Sequence, residues 1–150
     1  MTAAHDGPIP PERDADFRLP IRIYWEDTDA AGIVFYANYL KFFERARTEW
    51  LRSFGLEQER VRAERGIAFV VTDTTLRYFV PARLDDMIEV TVQVERLGQA
   101  SLVVAQQARR DDRVLAKGTI RVGCVDLGTF RPRRIPDDIL TRITSSSTSR

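Results

Sequence analysis

The chain has 150 residues, with 23 basic against 22 acidic side chains and a formal net charge of +1. That length suits one domain with a real core, and the balanced charge offers no global field for nucleic acid or an anionic membrane. The single cysteine, Cys124, excludes an internal disulfide and a cysteine-based metal cluster.

Residues 1–16, with Pro8, Pro10 and Pro11 and no hydrophobic period, read as a disordered arm. They lack the apolar core of a signal peptide, and no apolar run approaches membrane-spanning length, so the chain reads as soluble, cytoplasmic and without membrane insertion. Ile21, Ile23 and Trp25 alternate with Arg22 and Tyr24, which predicts a strand with one buried face running up to Trp25. Three acids follow at once, Glu26, Asp27 and Asp29, and then the small residues Ala30, Ala31 and Gly32, which allow backbone to approach a ligand closely.

Tyr39, Leu40, Phe42, Phe43, Ala46, Trp50, Leu51 and Phe54 recur at helical spacing, and Gly55 is placed to end that helix. A shorter helix is expected from Leu56 to Arg65, stopping at Gly66. Ile67 to Phe79 is a β-rich run ended by Pro81, and Ile88, Val90, Val92 and Val94 alternate with polar residues. Gly98 turns the chain into a strand over Ser101 to Arg110. Asp111 and Asp112 mark a hairpin into Val114 to Val125, where Ile120, Val122 and Cys124 share a face. One strand, a long helix and four meandering strands predict an α+β domain over 17–143, a five-stranded antiparallel sheet curled round one helix. Thr144 to Arg150 reads as a flexible Ser/Thr tail. Sheets of this kind generally pair edges between subunits, which hides an exposed edge, and a chain this small invites a site shared between copies.

The acidic turn is followed by a helix whose free N–H groups point back toward it. One carboxylate and one anion-stabilising helix end suffice to hydrolyse an activated acyl group. The stretch Arg22-Ile23-Tyr24-Trp25-Glu26-Asp27-Thr28-Asp29-Ala30-Ala31-Gly32-Ile33-Val34-Phe35-Tyr36 resembles the signature of the 4-hydroxybenzoyl-CoA thioesterase family, whose fold is the hotdog. The blocks Tyr39 to Trp50, Tyr78 to Asp86 and Val122 to Asp126 are similar to its bacterial acyl-CoA thioesterase branch associated with the Tol-Pal system. The resemblance covers roughly residues 18 to 140. It departs at the last signature position, commonly His or Phe and in that branch His, where this chain has Tyr36.

The resemblance implies a cytoplasmic acyl-CoA thioesterase, a homodimer or homotetramer with shared sites, that cleaves a CoA thioester to free acid and CoA without metal or other cofactor. It places the catalytic acid at Asp29, as general base or as nucleophile forming a mixed anhydride, and the carbonyl-polarising backbone N–H at Tyr36. Asp27 reads as a turn-holding acid and Glu26 as solvated. Glu44 is the rival carboxylate, with Arg47 and Thr48 as helix-spaced polar partners. Gly32, Asn38 and Tyr39 are candidates to line the substrate pocket. Arg96 and Ser101 are candidates for the CoA phosphates, presented across a subunit interface, with the cluster Arg131, Arg133 and Arg134 as a second option that reads as a solvated face.

Other chemistry fits less well. The sole histidine, His5, lies in the N-terminal arm, so no Ser-His-Asp set is available, and no Gly-x-Ser-x-Gly occurs. Two alternatives stay open: a scaffold that binds acyl carrier protein or phospholipid-synthesis enzymes with little hydrolysis, and a thioesterase acting on acyl carrier protein.

Overall fold

The computed structural model describes residues 17–148, so the arm expected over 1–16 lies outside the described residues. Aromatic residues at helical spacing form α1 (Asn38–Ser53), which buries Tyr39, Phe42, Phe43, Ala46, Trp50 and Leu51 on one face. Leu40, expected with them, is on the outer side and exposed. Burying each large side chain such as Phe42 or Phe43 contributes roughly 1.5–3 kcal/mol. A short helix, α2 (Gln58–Arg65), ends at Gly66, whose φ of 67° and N–H bond to the Arg62 carbonyl close it as the sequence predicts.

Five strands wrap α1: β1 (Phe17–Arg22), β2 (Ile67–Tyr78), β3 (Met87–Leu97), β4 (Ser101–Arg110) and β5 (Arg113–Asp126). All pair antiparallel in the order β1-β3-β4-β5-β2. This is the predicted α+β architecture with one correction. Only β3, β4 and β5 form a meander; β2 lies outside β5, and the Phe79–Asp86 connection carries the chain across to β3 beside β1. The 12-residue β2 is therefore an edge strand.

Ile88, Val90 and Val92 of β3 face the core with Leu102 and Val104 of β4 and Leu115, Ile120, Val122 and Cys124 of β5. Two residues set how closely α1 lies on this sheet. Gly118 of β5 leaves room for the Phe43 ring: a Cβ built there would stand 3.0 Å from Phe43 Cε2 and 2.8 Å from the Thr75 carbonyl oxygen. Gln106 of β4, 1% exposed, donates through Nε2 to the Phe43 and Thr91 carbonyls at 3.0 and 3.3 Å and accepts from Arg47 Nη1 at 3.0 Å. A fully partnered amide thus fixes helix to sheet without the cost of an orphaned polar group.

Two further expectations are corrected. The first strand ends at Arg22, and Trp25 begins a one-turn 3₁₀ helix, Trp25–Asp27, with its ring 78% exposed instead of buried. The turn forms because Asp27 Oδ2 accepts the Tyr24 N–H at 2.8 Å, pulling the chain out of the strand path. The tail expected from Thr144 is helical as far as Thr148, in α3 (Asp137–Thr148). Ile139 and Ile143 lie one helical turn apart, and with Ile135 just before the helix they are fully buried, so tertiary contact overrides the Ser/Thr-rich composition.

Candidate active site

The acidic segment closes into a tight turn bracketed by the bridge between Thr28 and Val34. Inside it the Asp29 N–H donates to the Ile33 carbonyl at 2.9 Å, and the Gly32 N–H to the Asp29 carbonyl at 3.0 Å. Gly32 has φ +79°, a conformation glycine adopts without a Cβ penalty. The exposed Asp29 side chain accepts the Ala31 N–H on Oδ1 at 2.8 Å. Among the described residues Oδ2 accepts no hydrogen bond.

The turn is anchored to the segment before β3. Ile33 bridges Arg83, the Val34 N–H donates to the Ala82 carbonyl at 2.9 Å, and the Leu84 N–H donates to the Gly32 carbonyl at 3.1 Å. Asp86 secures that segment, accepting the Arg83 N–H on Oδ2 and pairing with Arg110. Asp27 serves the turn as expected: besides its Tyr24 bond, its carbonyl accepts the Phe35 N–H at 3.1 Å and Asn38 Nδ2 at 2.9 Å. Glu26 is exposed.

Regular helix begins at Asn38, two residues beyond Tyr36, with Ala37 as a cap that supplies no side-chain bond and no acid in the first turn. The positive end of α1 is therefore not compensated by its own sequence. Tyr36 is 63% exposed, and among the described residues its N–H meets no acceptor. Its carbonyl accepts the Tyr78 hydroxyl at 3.0 Å. Asn38 ties the helix start to the acidic turn. Tyr39, 3% exposed, accepts the Ala82 N–H on its hydroxyl at 3.1 Å, and burial pushes that phenol above its ordinary value. Asp29, Gly32, Tyr36, Asn38 and Tyr39 thus belong to one hydrogen-bonded neighbourhood.

Arg96 and Ser101 do not join it. β1 pairs with β3 so that Arg22, just before the acidic turn, lies opposite Met87, whereas Arg96 is at the far end of β3. At about 3.4 Å per residue that is on the order of 30 Å away. Around that hairpin the Gly98 N–H donates to the Ser101 carbonyl at 2.8 Å, and Arg96 is exposed. The alternative cluster is largely engaged: Arg133 bonds the Arg65 carbonyl at 3.1 Å and pairs with Asp126 at 3.5 Å, and Arg134 pairs with Asp137 at 3.3 Å.

Glu44 lies at a separate cavity of about 360 Å³ between α1 and the β2, β4 and β5 strands, beside Arg47, Thr48, Leu51 and Phe69. Arg47 turns to Gln106 instead of closing an ion pair with Glu44. Burial lowers the Arg47 guanidinium from its ordinary value while the Glu44 charge opposes that shift. The structural contributions of Tyr78, Ala82 and Asp86 were not assigned from sequence. Tyr78 read only as part of the β-rich run, and the signal for all three was the block Tyr78 to Asp86, which carries a tyrosine, a proline and two adjacent acids.

A sheet wrapped round one helix, with an acidic turn laid against that helix's start, defines a hotdog-fold protein, and a family model described as the thioesterase-like superfamily matches residues 23–143. The chain belongs to that superfamily. More particularly, it is 42% identical over 126 residues to the acyl-CoA thioesterase YbgC of Haemophilus influenzae, covering 84% of this chain and 93% of that one. It is 43% identical over 125 residues to the acyl-CoA thioester hydrolase YbgC of Escherichia coli O157:H7, covering 83% and 92%. A crystal structure of a hypothetical protein from Thermus thermophilus superposes with a TM-score of 0.79 at 31% identity, covering 85% of this chain and 96% of that one.

Proposed function

We propose that this chain is an acyl-CoA thioesterase, releasing a free acid and CoA. The observation that carries this reading is the pairing of an Asp29 carboxylate, open on Oδ2, with a helix start whose Tyr36 N–H has no acceptor among the described residues. Similarity to the YbgC enzymes named above supports it. In the general-base route Asp29 takes a proton from water as the oxygen attacks the thioester carbon. The oxyanion receives the Tyr36 N–H, the C–S bond breaks, and the CoA sulfur leaves with the proton. In the nucleophilic route Asp29 itself displaces the thiolate to give a mixed anhydride, which water then opens. Gly32 lets the acyl group approach backbone, while Asn38 and Tyr39 shape the wall behind it.

We place the chain in the Tol-Pal-associated branch of the 4-hydroxybenzoyl-CoA thioesterase family, on its ordered motifs, and in the cytoplasm. Among the described residues no helix is long and apolar enough to cross a membrane. The separation of Arg96 and Ser101 from Asp29 within one chain supports a shared site, in which Arg96 and Ser101 of the partner subunit meet the CoA phosphates. The exposed β2 edge, with Val71, Tyr78 and Phe79 beside it, is the surface for a homodimer, alone or within a homotetramer.

The test is free-thiol release by the wild-type protein from short, long and aromatic acyl-CoAs and from acyl carrier protein esters, repeated across a dilution series. Hydrolysis of CoA esters that fades as the oligomer dissociates is the expected result. A folded protein that hydrolyses only carrier-protein esters, or none, would overturn the assignment, and an active monomer would overturn the shared site.

A further inference from the structure

We propose that Tyr78 is a positioning residue for this hydrolysis, its hydroxyl fixing the Tyr36 carbonyl and thereby the direction in which the Tyr36 N–H and the first turn of α1 present themselves to the substrate. The inference rests on the thioesterase reading and adds to it a residue from a different strand.

Two peptides flank the Tyr36 Cα, and each is held by a hydrogen bond. The peptide carrying the Tyr36 N–H is held on its other side, because the Phe35 carbonyl accepts the Asn38 N–H at 2.8 Å. The peptide that follows is held through the Tyr36 carbonyl, which accepts the Tyr78 hydroxyl at 3.0 Å. Both dihedrals of Tyr36 are thus set by hydrogen bonds, one local and one reaching 42 residues along the chain. Residues 35–37 precede regular helix and have no ladder of their own to fix them. The Tyr78 backbone, by contrast, is fixed in β2 opposite Ala116 of β5.

The ring reinforces the bond. Tyr78 meets Tyr36 edge-on with centroids 6.2 Å apart and Tyr39 at 5.5 Å. Tyr39 in turn holds the Ala82 N–H, and the Ala82 carbonyl holds Val34 of the acidic turn. The strand end, the helix start and the Asp29 turn are therefore joined through one tyrosine cluster. Such a link matters because a donor must be aimed where the oxyanion forms, and small misplacements are expensive in rate. Desolvation, with the neighbouring Tyr36 phenol adding to it, holds the Tyr78 hydroxyl above its ordinary value, so it stays a donor through the neutral range.

The test compares wild type, Tyr78→Phe, Asp29→Asn and the control Tyr24→Phe, an exposed tyrosine outside this cluster, for kcat, KM and melting temperature with one acyl-CoA. Tyr78→Phe, which keeps the ring and removes the bond, is expected to lower kcat about tenfold with KM within about twofold and the melting temperature unchanged. Tyr24→Phe is expected to match wild type. Wild-type kcat in Tyr78→Phe, a change confined to KM, or a loss that tracks a fall in melting temperature would each overturn the positioning role. Should Asp29→Asn stay active while Tyr78→Phe is slow, the acid assignment fails and the positioning role stands. An inactive wild type overturns both.

Discussion

Replacing Gly118 with alanine adds one methyl group at the tightest contact between α1 and the sheet. The new Cβ would stand 2.6 Å from Leu76 Cδ2, 2.8 Å from the Thr75 carbonyl oxygen and 3.0 Å from Phe43 Cε2. Leu76 can rotate its terminal methyl away. The Thr75 oxygen cannot yield without disturbing the ladder that pairs Thr75 with Thr119 and Leu76 with Gly118, and Phe43, fully buried, has no free side to move into. Overpacking of this kind costs about 1–3 kcal/mol. Restricting the unfolded chain returns about 0.4–1 kcal/mol, so the middle of both ranges leaves a net loss of about 1.3 kcal/mol. For a chain of this size that lowers the melting temperature by roughly 3–5 °C. Urea denaturation should show a lower midpoint with an unchanged slope, and Phe43→Leu in the same background should recover part of the loss. A Gly118→Ala protein as stable as wild type would refute the packing argument.

Two other predictions follow from the site and its supports. If the oxyanion donor is backbone, Tyr36→Phe keeps activity within a few-fold of wild type, whereas Tyr36→Pro, which removes an N–H with no intramolecular acceptor among the described residues, lowers kcat by about 10²-fold or more; a Tyr36→Pro enzyme within tenfold of wild type would contradict it. The Arg65 guanidinium, bonded to both Asp138 oxygens at 2.6 and 3.1 Å, holds that carboxyl below its ordinary value despite some desolvation. A depressed folded value means stability that is present above about pH 4, the unfolded carboxyl range, and lost as pH falls through the folded value. Asp138→Asn should therefore be less stable than wild type at pH 7, with the gap closing below about pH 4, as read by melting temperature across pH; a gap independent of pH would contradict the pairing.

The helices and strands were largely legible because their periods are clean. Phe42, Phe43, Ala46 and Trp50 can share only a helical face, and Ile88, Val90 and Val92 only a strand face. What periodicity does not encode is pairing order, so β2 was expected in the meander although it lies outside β5 and the Phe79–Asp86 connection leads across to β3 beside β1. Trp25 continued the alternation of Ile21 and Ile23, yet the Asp27 side chain captures the Tyr24 N–H and ends the strand first. Helix α3 was hidden by serines and threonines, with Ile139 and Ile143 as its core signal. In the site, the acidic turn and Gly32 were visible as local chemistry. The supports were not, because Tyr78, Gln106 and Gly118 act across strands, and one sequence shows no register.

The proposed role of Asp29 is decided by free-thiol release from an acyl-CoA by Asp29→Asn beside wild type, with the melting temperature of each. The asparagine Oδ1 still accepts the Ala31 N–H that the carboxylate accepts at 2.8 Å, so the turn should hold and the two proteins should melt alike. With Asp29 as base or nucleophile, kcat of Asp29→Asn falls by about 10²–10⁴-fold; a well-folded Asp29→Asn enzyme within a few-fold of wild type would rule that role out.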